Sequence, residues 1–544
     1  MTFSTKTLVL ILTLAALTRL IGISTFPPSL NWDEISHGYN AYSIFKTGKD
    51  EWGVIMPSIL KAYGDYKLPV YTYISSFFIS LLGLTPVAVR ITSALSGIGL
   101  VITTFFLTLR LLGHQEEKAV KLAISLLAAL LVAIEPWDLF LSRIAVEANL
   151  SIFLIATGIT LMLGKRYLSG LTLLGISTWT YNGARIFSPL FIFLFFLINK
   201  EEISIWIKSL RHKIGVILIF SILFVPMCLQ LIKNEGQARF NKLSILDQGA
   251  ISQINESRSK SRLNSSITKL IFNKPVYFTT RFLSNYLLHF SPRFLFLQGG
   301  SHYQFNLPGH GLIYLINMPF FALGTITVLL RWRQYKTLLF WLLTAPVASS
   351  LTRDSPHTLR AIVMLPLPMI LTAIGVYQLA KKFGKPLWIA YSIALFGFFS
   401  NYVTKATGKY RIDYSNVWQY GYEEAIQYIK DHPQYQTIII TKKYGEPHEF
   451  VLYHLKIDPL KYQSDPLLER YEQSEWFWVD RFDKFWFLND WQVKEMVTER
   501  GRKVQLKKPA LLITSPSNYP SGWKKIKTVN FLNQTPAFDI LEMQ

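Results

Sequence analysis

Residues 6–34 read KTLVLILTLAALTRLIGISTFPPSLNWDE: an apolar run, two prolines, then two adjacent carboxylates. The run over 6–24 is close to the ~20 apolar residues a straight membrane span needs. Pro27 and Pro28 stop it, because proline cannot continue a helix. Asp33 and Glu34 then stand where a carboxylate beside lipid is costly, and acidic groups kept in such places are functional candidates. The stretch points to a membrane protein with chemistry at the end of its first span.

Composition extends that reading to the whole chain. Of 544 residues, 50% are hydrophobic, 15% aromatic and only 17% charged, which is the membrane class. About eleven apolar stretches reach or approach the ~20-residue span length. They cover 6–24, 87–111, 120–135, 146–163, 167–179, 185–198, 213–232, 311–330, 335–350, 359–380 and 386–404. Pro69, Gly83 and Pro86 bracket a further apolar segment, 68–83, which reads as an interfacial helix. With the N-terminus in the cytoplasm, every short inner loop is basic: Arg110, Lys118 and Lys121; Lys165 and Arg166; Lys200, Lys208, Arg211 and Lys213; Arg331, Arg333 and Lys336; Lys381, Lys382 and Lys385. An odd span count sends the C-terminus outside. The expected protein is thus integral to the plasma (inner) membrane, with large outer segments at 25–86 and 233–310 and everything after 404 extracytoplasmic. Residues 405–544 hold 20 basic and 18 acidic side chains, a surplus of 2 out of the net +22. The charge excess belongs to the membrane part, and no nucleic-acid partner is needed to explain it. The lone Cys228 excludes an intrachain disulfide and reads as a small buried hydrophobe.

After 404 the periodicity changes. Strand patterns at 435–441, 475–480, 485–489, 509–514 and 536–541 alternate with helical ones near 416–430, 446–455 and 491–500. The expected organisation is a polytopic α-helical membrane domain over 1–404 and a soluble α/β or α+β domain over 405–544. The aromatics of the latter, Trp476 and Trp478 among them, suit either sugar stacking or an ordinary core.

The candidate site residues lie in the outer segments. Asn31 suits a helix N-cap and Glu34 stands three residues on, so capping is the structural reading for Glu34 beside a catalytic one. Asp33 points about 100° away from Glu34 on a helix and shares its face with His37 at i+4. That makes Asp33 the better candidate for a general base. Asp65 and Lys67 precede the interfacial helix, where Lys67 would meet an anionic head group or simply snorkel. Arg143 and Glu147 are spaced i, i+4 at an outer lip. Ser355 and Pro356 read as the cap and first position of a helix whose start, with His357 and Arg360 alongside, would hold an anion. Tyr181, Asn182 and Arg185 stand at another outer end, with Arg185 a candidate for the same phosphate. His289 and His302 in the 233–310 loop are candidates to cover a substrate. The histidine spacing matches no zinc motif, so no cofactor is assigned and a divalent metal is left open.

Taken in order, Asp33-Glu34, Gly38-Tyr39-Asn40-Ala41-Tyr42-Ser43, Gly64-Asp65-Tyr66-Lys67-Leu68-Pro69, Val89-Arg90-Ile91-Thr92, Ser142-Arg143-Ile144-Ala145-Val146-Glu147, Tyr181-Asn182-Gly183-Ala184-Arg185, His289-Phe290-Ser291-Pro292 and Pro356-His357-Thr358-Leu359-Arg360 carry a resemblance. Over about 1–404 the chain resembles GT-C glycosyltransferases, in particular bacterial relatives of protein O-mannosyltransferases and aminoarabinose transferases. The resemblance implies an inverting glycosyltransferase of the cell envelope. It would take a mannose-like or other hexose or pentose from a polyprenyl-phosphate donor and pass it to a protein, glycolipid or glycan hydroxyl at the outer face. It implies catalytic roles for Asp33, Glu34 and Glu147, and donor-phosphate contacts for Lys67, Arg185, His357 and Arg360. His37, Asp65, Tyr181, Asn182, His289 and His302 would touch substrate. The chain departs from many relatives in having Asp65 one place further from the lysine. The alternative class is a non-enzymatic transporter or flippase of polyprenyl-linked sugars; the chain shows no repeated halves of the transporter kind.

Overall fold

The computed structural model describes residues 3–113, 116–233, 236–237, 242–473 and 476–544, with the backbone alone for Phe3 and Asp65. The side chain of Asp65 therefore lies outside the described residues. Two compact units form, and they do not follow chain order. Met1–Ile21, Ser93–Ser142 and Val146–Tyr402 make the first; Gly22–Thr92, Arg143–Ala145 and Val403–Gln544 make the second.

The first half of the chain runs through α1 (Phe3–Leu20), α2 (Trp32–Thr47), α3 (Pro69–Leu82), α4 (Pro86–Leu111), α5 (Lys118–Ile134), α6 (Pro136–Leu141), α7 (Glu147–Leu163), α8 (Tyr167–Ser177) and α9 (Asn182–Ile198). Helix occupies every apolar stretch read from the sequence. Among the described residues, Pro86–Leu111, Leu210–Ile232 and Lys385–Asp413 are long and apolar enough to cross a membrane, and several others are shorter. Cys228 is exposed rather than buried. The first unit is helical, and glycine sets its closest approaches. A Cβ on Gly324 would stand 1.8 Å from the Leu371 carbonyl oxygen, and one on Gly375 1.9 Å from that of Phe320. Helices Met318–Leu330 and Leu367–Phe383 thus touch backbone to backbone, as small residues permit in lipid. Arg19 and Asp138, both fully buried, meet at 2.6 Å, and Arg19 also donates to the carbonyls of Val132 and Ala133. Such buried charges persist only when paired.

One helix start differs from its sequence reading. No α-helix begins at Pro356; Arg360–Met364 forms a 3-10 turn and the α-helix begins at Leu367. The cause is Pro366. It forces Leu365 into an extended conformation (ψ 146°), so regular helix resumes only beyond it, with Pro368 in the first turn. Ser355 caps nothing, and the anion site expected of a helix N-terminus at Pro356 does not exist in that form.

The second unit combines α2, α3 and a short hairpin with a seven-stranded mixed sheet. The hairpin pairs β1 (Leu60–Ala62) with β2 (Asp65–Lys67) around Tyr63-Gly64. The sheet contains β3 (Thr437–Thr441), β4 (Glu469–Gln473), β5 (Trp476–Phe482), β6 (Phe485–Leu488), β7 (Ala510–Thr514), β8 (Lys524–Asn530) and β9 (Pro536–Met543), in the order β4-β5-β6-β3-β7-β9-β8. β3 is parallel to both neighbours, and its Thr-Ile-Ile-Ile-Thr run is buried throughout, as a central strand covered on both faces requires. β8 closes one edge with exposed Lys524, Lys525 and Lys527, which discourage further pairing. The helix read near 491–500 is absent: only a 3-10 turn at Asp490–Gln492 forms, and Met496 takes a left-handed φ of 54°. Val493 is buried in the sheet core and Met496 packs against it, so burial of the two fixes an irregular turn in place of a helical face.

α2 begins at a true capping box. The Asn31 side chain accepts from the Glu34 amide at 3.0 Å, and the Asn31 amide donates back to Glu34. Glu34 is 1% exposed and does more than cap. Its carboxylate accepts from Arg90 Nε (2.8 Å), Arg90 Nη2 (2.9 Å) and the Ala145 amide (2.8 Å). Arg90 in turn donates to the carbonyls of Ile23, Pro27 and Ser29. Breaking a buried pair of this kind costs about 3–5 kcal/mol. Glu34→Ala and Arg90→Ala should therefore each lower the unfolding temperature of the detergent-solubilised protein strongly. Arg90→Lys should rescue little, since lysine cannot span the same set of acceptors; a melting curve for Arg90→Lys equal to wild type would refute this role.

Candidate active site

The first turn of α2 separates the two adjacent carboxylates. Glu34 is consumed by the contacts above, whereas the Asp33 side chain stays 47% exposed. The β1–β2 hairpin delivers Lys67 to it: Lys67 Nζ lies 3.0 Å from Asp33 Oδ1 and 3.1 Å from the Asp33 carbonyl. Lys67, read from sequence as a phosphate contact, is thus engaged with the candidate base. His37 is buried, with Nδ1 3.0 Å from Thr72 Oγ1 and its ring against Tyr71. Arg143 is buried too; its Nε donates to the Phe26 carbonyl and its guanidinium lies over the Phe26 ring.

Behind this pair the second unit buries three carboxylates that the sequence did not single out. Glu51, Glu446 and Glu449 are all under 5% exposed. Burial pushes Glu446 up to about 8, despite a hydrogen bond from Trp476 Nε1 and the charge of Lys442. Glu449 is raised well above the ordinary range by burial first and then by the neighbouring Glu51, and burial raises Glu51 as well. His448 beside them is held well below its usual value by burial and by Arg470 and Lys442. The helical pattern near 446–455 was visible in sequence; the burial of its two acids, Glu446 and Glu449, was not.

In the first unit, Tyr181, Asn182, Arg185 and Arg360 line one cavity of about 470 Å³, walled otherwise mainly by apolar groups such as Leu231 and Leu351. Arg185 is 5% exposed. Its Nε donates to the Thr178 carbonyl and its Nη2 to Gln230, while Nη1 is buried with no hydrogen-bond partner among the described residues. Arg360 Nη1 donates to Thr352 Oγ1 at 2.9 Å, and Asp354 lies 3.8 Å from Nη2. Two guanidiniums thus stand in the lining of one largely apolar cavity, and arginine is the side chain best shaped to meet an anion. His302 and His357 meet ring to ring at 4.6 Å, and burial, then the Arg360 charge, lowers His302. His289 is fully buried between the Asn285 carbonyl and Ser349. Glu147 opens α7, where the helix dipole favours a carboxylate. Among the described residues no group of three or more His, Cys, Asp or Glu side chains is placed to hold a metal ion.

A bundle of apolar helices with a mixed-sheet domain is the architecture of the GT-C glycosyltransferases, and the structural neighbours of this chain are of that class. ArnT from Cupriavidus metallidurans, an aminoarabinose transferase, is similar in its apo state with a TM-score of 0.60 and 12% identity, over 99% of this chain and 98% of that one. The same protein bound to undecaprenyl phosphate is similar with a TM-score of 0.57 and 12% identity, over 98% of this chain and 97% of that one. At such identity the likeness is one of fold. No protein-family model and no curated protein sequence matches the chain.

The buried acids predict a pH dependence. A carboxyl whose folded value is raised stabilises the fold fully below its unfolded value, and that contribution is lost as pH rises through the folded value. For Glu446 the loss sets in above the ordinary value of 4.5 and is complete once pH passes about 8. The melting temperature should fall between roughly pH 5 and 8 and level off above. Glu446→Gln should flatten part of that slope, since glutamine still offers Trp476 an acceptor. A wild-type slope unchanged in Glu446→Gln would remove Glu446 from the account.

Proposed function

We propose that the protein is an inverting glycosyltransferase that moves a sugar from a polyprenyl-phosphate donor to an acceptor hydroxyl at the outer face of the plasma membrane. Its N-terminus would lie in the cytoplasm and Asp33 and the C-terminal domain outside. The observation that carries the reading is the Arg185–Arg360 cavity, with a buried guanidinium nitrogen that meets no hydrogen-bond partner among the described residues. A lipid phosphate meets both demands: its oxygens satisfy the donors and its chain suits the apolar surface. The fold shared with ArnT, a protein also known bound to undecaprenyl phosphate, supports the same ligand class.

In this mechanism Asp33 takes the proton from the acceptor hydroxyl. The freed oxygen attacks the anomeric carbon opposite the phosphate, the carbon–oxygen bond to phosphate breaks, and the configuration inverts. The bonding pair leaves on the lipid phosphate. Arg185 and Arg360 meet that growing charge with donors already in place. Lys67 holds the Asp33 carboxylate through its 3.0 Å contact. Tyr181 and Asn182 line the donor cavity, and Glu147, His302 and His357 remain candidates for further substrate contacts. No step runs through a metal. The sugar is a hexose or pentose, the mannose-like choice included, and a flippase differs in leaving the sugar–phosphate bond intact.

Two outcomes test this. Asp33→Asn should leave membrane insertion unchanged and slow sugar transfer by about 10²–10⁴-fold, the usual worth of a general base. Its half-exposed pairing with Lys67 contributes little to stability. Near-normal turnover by purified Asp33→Asn would sink the assignment. Arg185→Ala and Arg360→Ala should each weaken equilibrium binding of undecaprenyl phosphate about 10–100-fold, as loss of a charged hydrogen bond implies. Arg360→Lys should recover part of that loss. His357→Ala should cost less, because His357 packs on His302 and Phe305 outside the cavity lining. Unchanged lipid affinity in both alanine variants would place the phosphate elsewhere.

A further inference from the structure

β5 alternates burial in a way that leaves two indoles half-exposed on one face. Phe477 and Val479 point into the core, while Trp476 and Trp478 do not. Trp476 stacks on Tyr63 at 6.0 Å with the rings 18° apart, and Trp478 follows at 5.9 Å. Trp32, the residue before Asp33, closes on the same group at 6.3 Å from Trp476 and 6.2 Å from Tyr63. The Tyr63 hydroxyl donates to the Trp32 carbonyl at 2.6 Å. The cluster is therefore continuous with the turn that carries the candidate base.

Its polar groups are fixed. Trp476 Nε1 donates to Glu446, which holds the indole edge and sets its face. Gly445, at φ +119°, lies so close to the Trp32 ring that a Cβ there would be 2.2 Å from it, so only glycine lets this loop press on the indole. A largely buried lysine stands at each end of the aromatic row. Lys67 stands 5.7 Å over Tyr63 and contacts Asp33. Lys442 lies 5.2 Å from the Trp478 ring and 5.3 Å from that of Tyr471, the residue opposite Trp478, and pairs with Asp480.

We infer that Trp32, Trp476 and Trp478 form a platform for a carbohydrate, and that the acceptor of the transfer is a sugar hydroxyl. This rests on the reading of Asp33 as base and names the acceptor class for it. Flat aromatic faces with an apolar body, bordered by a few fixed charged groups, match the apolar ring faces and hydroxyl edges of a sugar. A hydrocarbon chain gains nothing from the ionic rim. An extended peptide would dock by pairing along a free strand edge, but the tryptophans stand on the face of the sheet.

The test uses the full-length protein in detergent and equilibrium titration with chitotetraose, cellotetraose and maltotetraose, beside a serine- and threonine-rich peptide. At least one oligosaccharide should bind saturably, and the peptide should not. Trp476→Ala and Trp478→Ala should each weaken that binding at least about tenfold, on the scale of lost aromatic contact. Trp478→Phe, which keeps a stacking ring and spares the fold, should lose only a few-fold. The inference is overturned if no oligosaccharide binds, if the peptide binds in their place, or if the alanine variants bind like wild type. Titration of the wild-type protein with undecaprenyl phosphate separates the two readings. Lipid binding without oligosaccharide binding defeats the acceptor alone, and absence of lipid binding defeats the transferase reading itself.

Discussion

The Arg90–Glu34 pair is the interaction on which the second unit depends. One guanidinium gathers the carbonyls of Ile23, Pro27 and Ser29 and both oxygens of Glu34, so the turn between residues 23 and 34 has a single anchor. Glu34 in turn fixes the first turn of α2 and the amide of Ala145. The arrangement is costly in isolation, because two charges leave water; it holds because nearly every donor and acceptor finds a partner. Its consequence is chemical. With Glu34 locked inward, the helix geometry that puts neighbours about 100° apart leaves Asp33 turned outward, half-exposed and paired with Lys67.

The same economy recurs through the molecule with different ends. Arg19 and Asp138 are paired in full burial, and Glu135 accepts from the Tyr314 amide and from Asn317. These are structural ion and hydrogen-bond sets within the first unit, although Arg19 Nε and Asp138 Oδ1 meet no hydrogen-bond partner among the described residues. Arg185 Nη1 is in the same position, and differs in belonging to a residue that lines a cavity. A guanidinium beside a cavity is open to a ligand, which the enclosed groups are not.

Glu51, Glu446 and Glu449 form a third kind of site, in which burial, not pairing, dominates. They cost stability as pH rises, and Glu446 also holds Trp476, so the acid that loads strain into the fold is the one that orients the aromatic row. The pH dependence of stability and the orientation of the aromatic row are thereby linked through one carboxyl.

Much of this was legible along the chain. Apolar stretches announced the helices, the run at 435–441 announced a strand, and Asn31 with Glu34 announced a capping box, because each pattern is local and periodic. Arg185 and Arg360 were readable as candidate phosphate contacts from residue type. Their meeting in one cavity was not, since 175 positions separate them and only packing joins them. The helix start at Leu367 instead of Pro356 shows the limit on the local side: a cap-and-proline signal lost to a second proline ten residues on. Tertiary structure alone decided which of two adjacent carboxylates stays half-exposed, that Lys67 binds Asp33, and that Gly22–Thr92 packs with the C-terminal sheet. Those outcomes depend on partners far away in sequence, such as Arg90 for Glu34 and Trp476 for Tyr63, and no local pattern encodes a distant partner.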